Sequence, residues 1–159
     1  MQHFVYPACL TPEEQDGGFV VTFPDLPEAI TQGDEVSDAL RQGADCLEEA
    51  IAGRIRRHAC LPEASPVESD HYPIPLPAQT AAKAALYLAI RQAGLTQVEL
   101  AALLHCDEKE VRRLLDPRHA SKMARLEAAL AALGQQLVVS VQAMGGSPYG
   151  SAHDLTNKD

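Results

Sequence analysis

Residues 16–34 read DGGFVVTFPDLPEAITQGD, and this stretch sets the architecture of the first half of the chain. Its opening Asp-Gly-Gly is a turn signal, and the segment 18–23 is rich in β-branched and aromatic residues, which predicts a strand. Pro24 and Pro27 then exclude a helix, because proline lacks a backbone N–H and restricts the residue before it. The stretch therefore predicts a turn, a strand and a break.

Two further strands and a helix surround this stretch. Residues 2–8 predict an antiparallel partner strand, and residues 29–32 predict a short third strand. Beyond them, apolar residues recur at three- and four-residue spacing, which predicts a helix over 35–57 with one apolar face. Asp34 is expected to cap its start. Three arginines fall near its end, where cations interact favourably with the helix dipole: Arg54, Arg56 and Arg57.

The segment HYPIPLP at residues 71–77 alternates proline with other residues. In a strand, the N–H groups of residues i and i+2 point to the same edge, so the three prolines remove donors from one edge only. The intervening residues keep their donors for the other edge. The segment is predicted to be an edge strand that accepts no neighbour on its proline side, with a polyproline linker as the alternative.

The second half of the chain is predicted to be helical. Residues 80–134 are rich in Ala and Leu, and three breaks divide them into four helices. Residues 136–142, QLVVSVQ, predict a strand too short to be stable unpaired, so we expect it to pair with its copy and form a homodimer or a higher homo-oligomer. The tail at 145–159 is predicted to be disordered.

Two of these helices carry start signals. Thr96 with Glu99 has the pattern of a capping box, and Asp107 with Glu110 approximates a second one. The three-residue turn between the helices and a small residue at their closest approach match a helix-turn-helix. His105 occupies the turn position that favours a left-handed backbone, where glycine usually serves.

The second helix of this motif, over residues 108–115, would be the recognition helix in the major groove of DNA. Three cations on it are predicted to contact bases or phosphates: Lys109, Arg112 and Arg113. Glu108 is expected to accept from a cytosine amino group, and Gln97 to sit at a phosphate. Because Glu108 and Glu110 dilute the positive surface, binding is also expected to need cations outside this helix: Lys83, Arg118 and Lys122.

The charge of the chain divides near residue 80. Residues 1–79 hold 4 Lys and Arg against 14 Asp and Glu, whereas residues 80–144 hold 8 against 6. This asymmetry predicts an α+β chain of two domains, 1–79 and 80–144, with different partners. An acidic domain suits a basic protein and the other domain tolerates nucleic acid, although acidity that serves solubility alone is the alternative.

Composition limits the remaining possibilities. No apolar run is long enough to cross a bilayer and no leader is recognisable, so no membrane is expected and a cytoplasmic location is predicted. No C-x-x-C pair occurs, which favours buried free thiols over zinc or redox chemistry at the four cysteines: Cys9, Cys46, Cys60 and Cys106.

The string at residues 16–27, followed by ITQGD at 30–34 and an amphipathic helix, resembles the signature of HicB antitoxins. The capped helices and the short strand after them are similar to the half of HicB proteins that binds DNA, so the resemblance covers residues 3–142. It implies a reduced ribonuclease H-like N-terminal domain. Its partners would be operator DNA and a HicA-type toxin, a small basic ribonuclease that cleaves mRNA. Toxin contacts are expected on this resemblance at Asp16, Phe23, Asp25, Leu26 and Asp34.

The same residues leave two other functions to consider, an enzyme and a ligand-sensing regulator. A two-metal nuclease would need converging carboxylates, and nothing in the pattern requires Asp16, Asp25 and Asp45 to converge. The six histidines lie singly, so no catalytic residue, metal or cofactor is predicted. A regulator that senses a small molecule through its first domain is the stronger rival, but such a small domain is expected to leave little volume for a pocket.

Overall fold

The computed structural model describes residues 1–143, in which a four-stranded antiparallel sheet and one helix are followed by four more helices. The strands are β1 (Val5–Pro12), β2 (Phe19–Thr22), β3 (Ile30–Gly33) and β4 (Tyr72–Pro75). The helices are α1 (Val36–Arg56), α2 (Ala78–Ala93), α3 (Gln97–Leu103), α4 (Glu108–Leu115) and α5 (Met123–Ala132). The α+β fold class is confirmed.

The sheet has the strand order β3-β2-β1-β4. β1 is shared along its length, since Val5–Ala8 pairs with β4 and Cys9–Pro12 pairs with β2. The strand expected at residues 2–8 therefore starts later and runs further, because the hairpin with β2 extends its pairing to Pro12. Gly17 and Gly18, with φ of 73° and 86°, make the turn that the Asp-Gly-Gly signal predicts.

Helix α1 lies against the sheet and forms the first core with it. The two approach closely at Gly43, where a Cβ atom would lie 2.9 Å from Ile74 Cδ1 and 3.2 Å from Val21 Cγ1. Leu47 and Ile51 of the same face are fully buried. The helix predicted over 35–57 is confirmed to within a residue at each end.

The prediction of an edge strand with prolines is confirmed at β4. Within the described residues β4 pairs only with β1, and Leu76 N just beyond it donates to Phe4 O at 2.9 Å. Pro73 and Pro75 face partner positions on β1 while lacking the N–H that a further neighbour would need. The free edge of the sheet that keeps its donors is therefore the edge of β3.

The four helices predicted over 80–134 are also confirmed, and they enclose a second core. Helix α2 belongs to both cores, since Ala84 and Tyr87 lie in the first and Leu86 and Ile90 in the second. It begins at Ala78, so the boundary expected after residue 79 falls within its first turn. None of the helices in residues 1–143 is long and apolar enough to cross a bilayer.

The expected cap of α1 is wrong. Glu35 occupies the N-cap position without a side-chain cap, and Asp34 N donates to Asp38 Oδ2 at 3.2 Å. Asp34 lies one residue too early to reach the open N–H groups of the first turn. The carboxylate near the start of α1 therefore belongs to Asp38, inside the first turn.

Residues 136–142 form no strand in the single chain. Leu137 packs partly on the second core, whereas Val138, Val139 and Val141 are 67%, 66% and 94% exposed. A strand needs a neighbour, and no segment of residues 1–143 pairs with this one. The tail predicted to be disordered, 145–159, lies outside the described residues.

Candidate nucleic-acid interface and partner surface

Helices α3 and α4 are held together by buried apolar side chains and a tight connection. Leu100 of α3 shares the second core with Val111 and Leu114 of α4. His105 in the connection has φ of 52°, which confirms the left-handed backbone expected there. Because α4 turns its apolar residues inward, its charged face is directed outward.

The capping box at the start of α3 is confirmed. Thr96 Oγ1 accepts from Glu99 N at 3.2 Å, and Glu99 Oε2 accepts from Thr96 N at 2.7 Å. The Glu99 carboxylate accepts from Thr96 N and also from Thr96 Oγ1, and these two bonds lower the pKa of Glu99 because they favour its charged form. The start of α3 is therefore fixed by its own two residues.

The second capping box is only half formed. Asp107 Oδ1 accepts from Glu110 N at 2.7 Å, but the Glu110 carboxylate bonds to Arg125 of α5, whose Nε lies 2.7 Å from Oε1. A guanidinium offers charge-assisted hydrogen bonds that are stronger than a neutral backbone N–H. The pairing also means that Glu110 dilutes the positive face of α4 less than the sequence suggests.

The residues predicted to bind DNA lie at or near the surface. Gln97, at the first position of α3, is half-buried. Five others are exposed: Glu108, Lys109, Arg112, Arg113 and Lys122. The α4 residues among them share one short helix, whereas Lys122 precedes α5.

Lys83 is not available to DNA, so the expectation for it is wrong. It is fully buried on α2, and its Nζ donates to Arg113 O (2.9 Å), Asp116 O (2.8 Å) and Ser121 Oγ (2.9 Å). Burial lowers the pKa of Lys83 to about 8, with the Asp116 carboxylate opposing this shift. The three N–H donors of the ammonium group are thus matched by three acceptors, and two of the acceptors are backbone carbonyls at the end of α4. Lys83 therefore anchors α4 to α2.

Two of the five residues predicted to contact a toxin lie at one end of the sheet. Asp16 and Asp34 are both exposed there. A Cβ on Gly18 would lie only 2.6 Å from Gly33 O, so the turn after Asp16 closes against the residue before Asp34. The two carboxylates and the exposed Glu35 make this end of the sheet acidic.

The other three lie beyond the opposite end of β2. Phe23 and Leu26 are 2% and 0% exposed, so both belong to the first core and present no surface in this conformation. Asp25 Oδ1 accepts from Ser65 Oγ at 2.5 Å and Oδ2 accepts from Ser65 N at 2.9 Å. The five residues predicted to contact a toxin thus fall into two groups. Asp16 and Asp34 lie at the acidic end of the sheet, and Phe23, Asp25 and Leu26 lie in a segment that packs or bonds within the chain.

Two tethers near this segment have no signal in the sequence. Tyr6 OH donates to Pro62 O at 2.9 Å, and burial together with Asp25 raises the pKa of Tyr6 to about 12. Arg54 pairs with Glu28 through Nε–Oε1 (2.5 Å) and Nη2–Oε2 (3.0 Å), which lowers the pKa of Glu28. Both join residues more than 25 positions apart, so local patterns could not show them.

Residues of the sheet half and of the helical half together line two clefts. One of about 630 Å³ lies between the end of α1, the end of α2 and the α3–α4 pair, and one of about 470 Å³ lies beside the N-terminus and residues 135–140. Residues from both sides of position 79 line each cleft, so neither cleft tests the expectation that the first domain alone leaves little volume for a pocket. The volume arises where the sheet and the helices meet, which the size of the first domain alone does not reveal.

The cysteines and histidines depart from expectation in detail. The four thiols are free, but Cys60 is exposed because it lies in the loop after α1, and the other three are half-buried. His71 is not isolated, since ligand atoms of Glu68, Asp70 and His71 lie within 4.8 Å of one another. The two carboxylates are on an exposed loop, where such groups are common without an ion.

The fold and these surfaces define a small α+β protein with an acidic sheet half and a helical half that exposes basic side chains on α4. The chain belongs to the family of HicB-like antitoxins of bacterial toxin–antitoxin systems, whose family profile matches residues 5–85.

Full-length relatives support this assignment. The chain is 36% identical over 137 residues to Antitoxin HicB 1 of Photorhabdus laumondii, which covers 86% of each protein. It is 36% identical to Antitoxin HicB of Escherichia coli, over 83% of this chain and 95% of that protein. Antitoxin HicB of Pseudomonas fluorescens is 33% identical over 82% of this chain and 90% of its own length.

Proposed function

We propose that this chain is a cytoplasmic antitoxin that inhibits a HicA-type ribonuclease toxin through its sheet half and represses its own operon through α3 and α4. The sheet and α1 would form a reduced ribonuclease H-like domain without enzymatic activity. The observation that carries the proposal is the presence, in one chain, of an acidic sheet end and of a capped helix pair with an outward basic face. A regulator with two unlike partners needs two such surfaces.

The proposal for DNA treats α3 and α4 as a helix-turn-helix, with α4 as the recognition helix. Lys109, Arg112 and Arg113 are exposed on α4 and would contact base edges or phosphates. Gln97 would contact the backbone from the start of α3, and Lys122 from the start of α5. Glu108 is the carboxylate of α4 that would accept from a cytosine amino group.

The proposal for the toxin places its basic surface on the acidic end formed by Asp16, Asp34 and Glu35. A ribonuclease must attract phosphate, so its active face is expected to be basic and to be drawn to this end. The neighbouring edge of β3 keeps its backbone donors and exposes Ile30 by 61%. Charge would thus guide the encounter, and apolar and backbone contacts along β3 would hold the complex.

The proposal for assembly pairs residues 136–142 with the same segment of a second copy. Three valines of this segment are more than 60% exposed in the single chain. Pairing would cover them, and a two-fold dimer would present two recognition helices to a two-fold operator. The homodimer thus serves DNA binding as well as burial.

Operator affinity tests the DNA part of this proposal. Lys109→Ala and Arg112→Ala should each weaken binding to the operon's own promoter DNA by about 1–3 kcal/mol per lost contact, because each removes a base or phosphate contact. Arg41→Ala, which removes an exposed arginine from α1, is the matched control. Gel-shift affinities of both α4 variants equal to wild type, with folding intact, would show that α4 is structural only.

A further inference from the structure

We propose that the 630 Å³ cleft between the end of α1 and the α3–α4 pair binds a backbone phosphate of the DNA, so that the sheet half contributes cations to the DNA interface. This inference rests on the proposed DNA binding and deepens it. It assigns a DNA contact to residues of the half whose overall charge is strongly acidic.

Three arginines from three different helices line this cleft. They are Arg56 of α1, Arg91 of α2 and Arg112 of α4. Asp116 is the one carboxylate among the described lining residues, and its Oδ1 already accepts from Arg118 N at 3.0 Å. The lining therefore has an excess of positive charge that an anion would compensate.

The state of each arginine fits this role. Arg91 Nη1 donates to His58 O (2.9 Å) and to Tyr87 OH (3.1 Å), and its guanidinium lies 5.5 Å from the centre of the Tyr87 ring. These contacts orient Arg91 while leaving its other N–H groups unused. Within residues 1–143 neither Arg56 nor Arg112 forms a salt bridge. The cleft thus offers one fixed and two adjustable donors to a phosphate.

The position of the cleft favours DNA over a free anion. Gln97 and Arg112 line it as well, and both belong to the proposed DNA-binding pair. The start of the first helix of such a pair lies beside the phosphate backbone that borders the major groove. Arg56 therefore lies next to the DNA strand that α4 would contact.

The distribution of arginine in the first half supports the same conclusion. Residues 1–79 contain four arginines, and three of them lie at the end of α1: Arg54, Arg56 and Arg57. Arg54 forms a salt bridge with Glu28, whereas Arg56 lines the cleft. Arg56 is thus placed toward the helices, at the opposite end of α1 from Asp34.

The salt dependence of DNA binding tests the proposal. We would measure binding of the full-length chain to its operator duplex and to an unrelated duplex of equal length by fluorescence anisotropy, between about 50 and 200 mM salt. The test variant is Arg56→Gln, and the matched control is Arg41→Gln, which removes the same charge near the other end of α1. Thermal unfolding of each variant would confirm that it is folded.

Arg56→Gln should weaken binding to both duplexes by about fivefold to tenfold per lost contact near 100 mM salt, because fewer counterions are released. The plot of log affinity against log salt should become less steep by about one per lost contact, with the preference for the operator unchanged. Arg41→Gln should match wild type.

An Arg56→Gln variant with wild-type affinity and slope would overturn the inference. If Arg112→Ala loses operator affinity in the same experiment, the proposed DNA binding through α4 still stands. Inorganic phosphate bound at the cleft with no effect of Arg56→Gln on DNA would overturn it equally. If wild type does not prefer its operator but Arg56→Gln reduces the slope on both duplexes, the phosphate contact stands and specific repression fails.

Discussion

Lys83 joins two helices through a single ammonium group. Its three hydrogen bonds satisfy two carbonyls at the end of α4 and the hydroxyl of Ser121. The side chain is fully buried, and desolvation lowers its pKa to about 8. The orientation of α4, and with it the basic face, depends on this residue.

The titration of Lys83 predicts a pH dependence of stability. In the unfolded chain the amine keeps its proton up to about pH 10.5, whereas in the folded chain it loses the proton near pH 8. Between these values the unfolded state holds more protons, so raising the pH stabilises the folded state by at most about 1.4 kcal/mol per pH unit.

Chemical denaturation at several pH values checks this prediction by comparing wild type with Lys83→Met. Met has similar length and does not titrate, so the difference between the two free energies of unfolding isolates Lys83. The free energy of unfolding of wild type minus that of Lys83→Met should become more positive from pH 8 to pH 10. A difference that stays constant over this range would mean that Lys83 remains protonated in the folded chain.

Sequence alone identifies residues whose partners are local. Thr96 and Glu99 were predicted as a cap because both groups lie within one turn. Lys83 was misassigned, and the bonds of Asp25 to Ser65 were not foreseen, because the partners lie 30 or more positions away, at Arg113 and Ser65. A lysine in an alanine-rich helix and an aspartate between prolines carry no local sign of such partners.

Helix α3 is short, with seven residues, so its ends contribute a large share of its stability. The reciprocal bonds between Thr96 and Glu99 satisfy two backbone groups that would otherwise be open at its start. We expect the cap to hold Gln97 in place for the proposed backbone contact.

Thr96→Ala should lower the free energy of unfolding by about 1 kcal/mol, because the hydroxyl that accepts from Glu99 N is removed. Thr96→Ser retains an acceptor and should remain close to wild type. Thermal denaturation of the three proteins measures the effect. Equal stability of Thr96→Ala and wild type would show that the cap is dispensable for α3.

Elements differ in how far the sequence defines them. The edge position of β4 was predictable because Pro73, Pro75 and Pro77 act through their own missing N–H groups. The segment 136–142 has a clear strand pattern but forms no strand in the single chain. We propose that its pattern describes a surface for pairing with a second copy of the chain.

The whole molecule is joined through α2, which contributes to both cores. Polar links cross the same junction, since Thr80 Oγ1 donates to Glu48 Oε1 at 2.5 Å and Arg118 lies 3.3 Å from Glu49. The exposed pair adds little, whereas the shared apolar face of α2 couples the halves. Separate partners do not therefore require separate folding.

We predict that the two halves unfold in one transition. Leu47→Ala in the first core and Leu126→Ala in the second should each destabilise the whole chain by about 2–5 kcal/mol, because each opens a cavity in a core that α2 shares. Methyl signals from both cores, followed by NMR during denaturation, should disappear together. A Leu126→Ala transition confined to the helical half would contradict this.

The charge division was visible in the sequence, but the place of each charge was not. Asp16 and Asp34 meet at one end of the sheet only because Gly18 and Gly33 come into contact. Arg56 reaches the helical half only because α1 ends beside α2 and α3. The two candidate surfaces therefore depend on the tertiary fold.

If one chain binds a toxin and an operator through different surfaces, variants of one surface should lose one activity and keep the other. One would measure inhibition of the ribonuclease encoded beside this gene, and operator affinity, for the same variants of the full-length chain. Asp16→Asn combined with Asp34→Asn should slow association with the toxin, most strongly at low salt, and leave operator affinity unchanged. Arg112→Ala should do the reverse. If the acidic variant inhibits the ribonuclease like wild type, or if Arg112→Ala loses inhibition while folded, the two-surface account is contradicted.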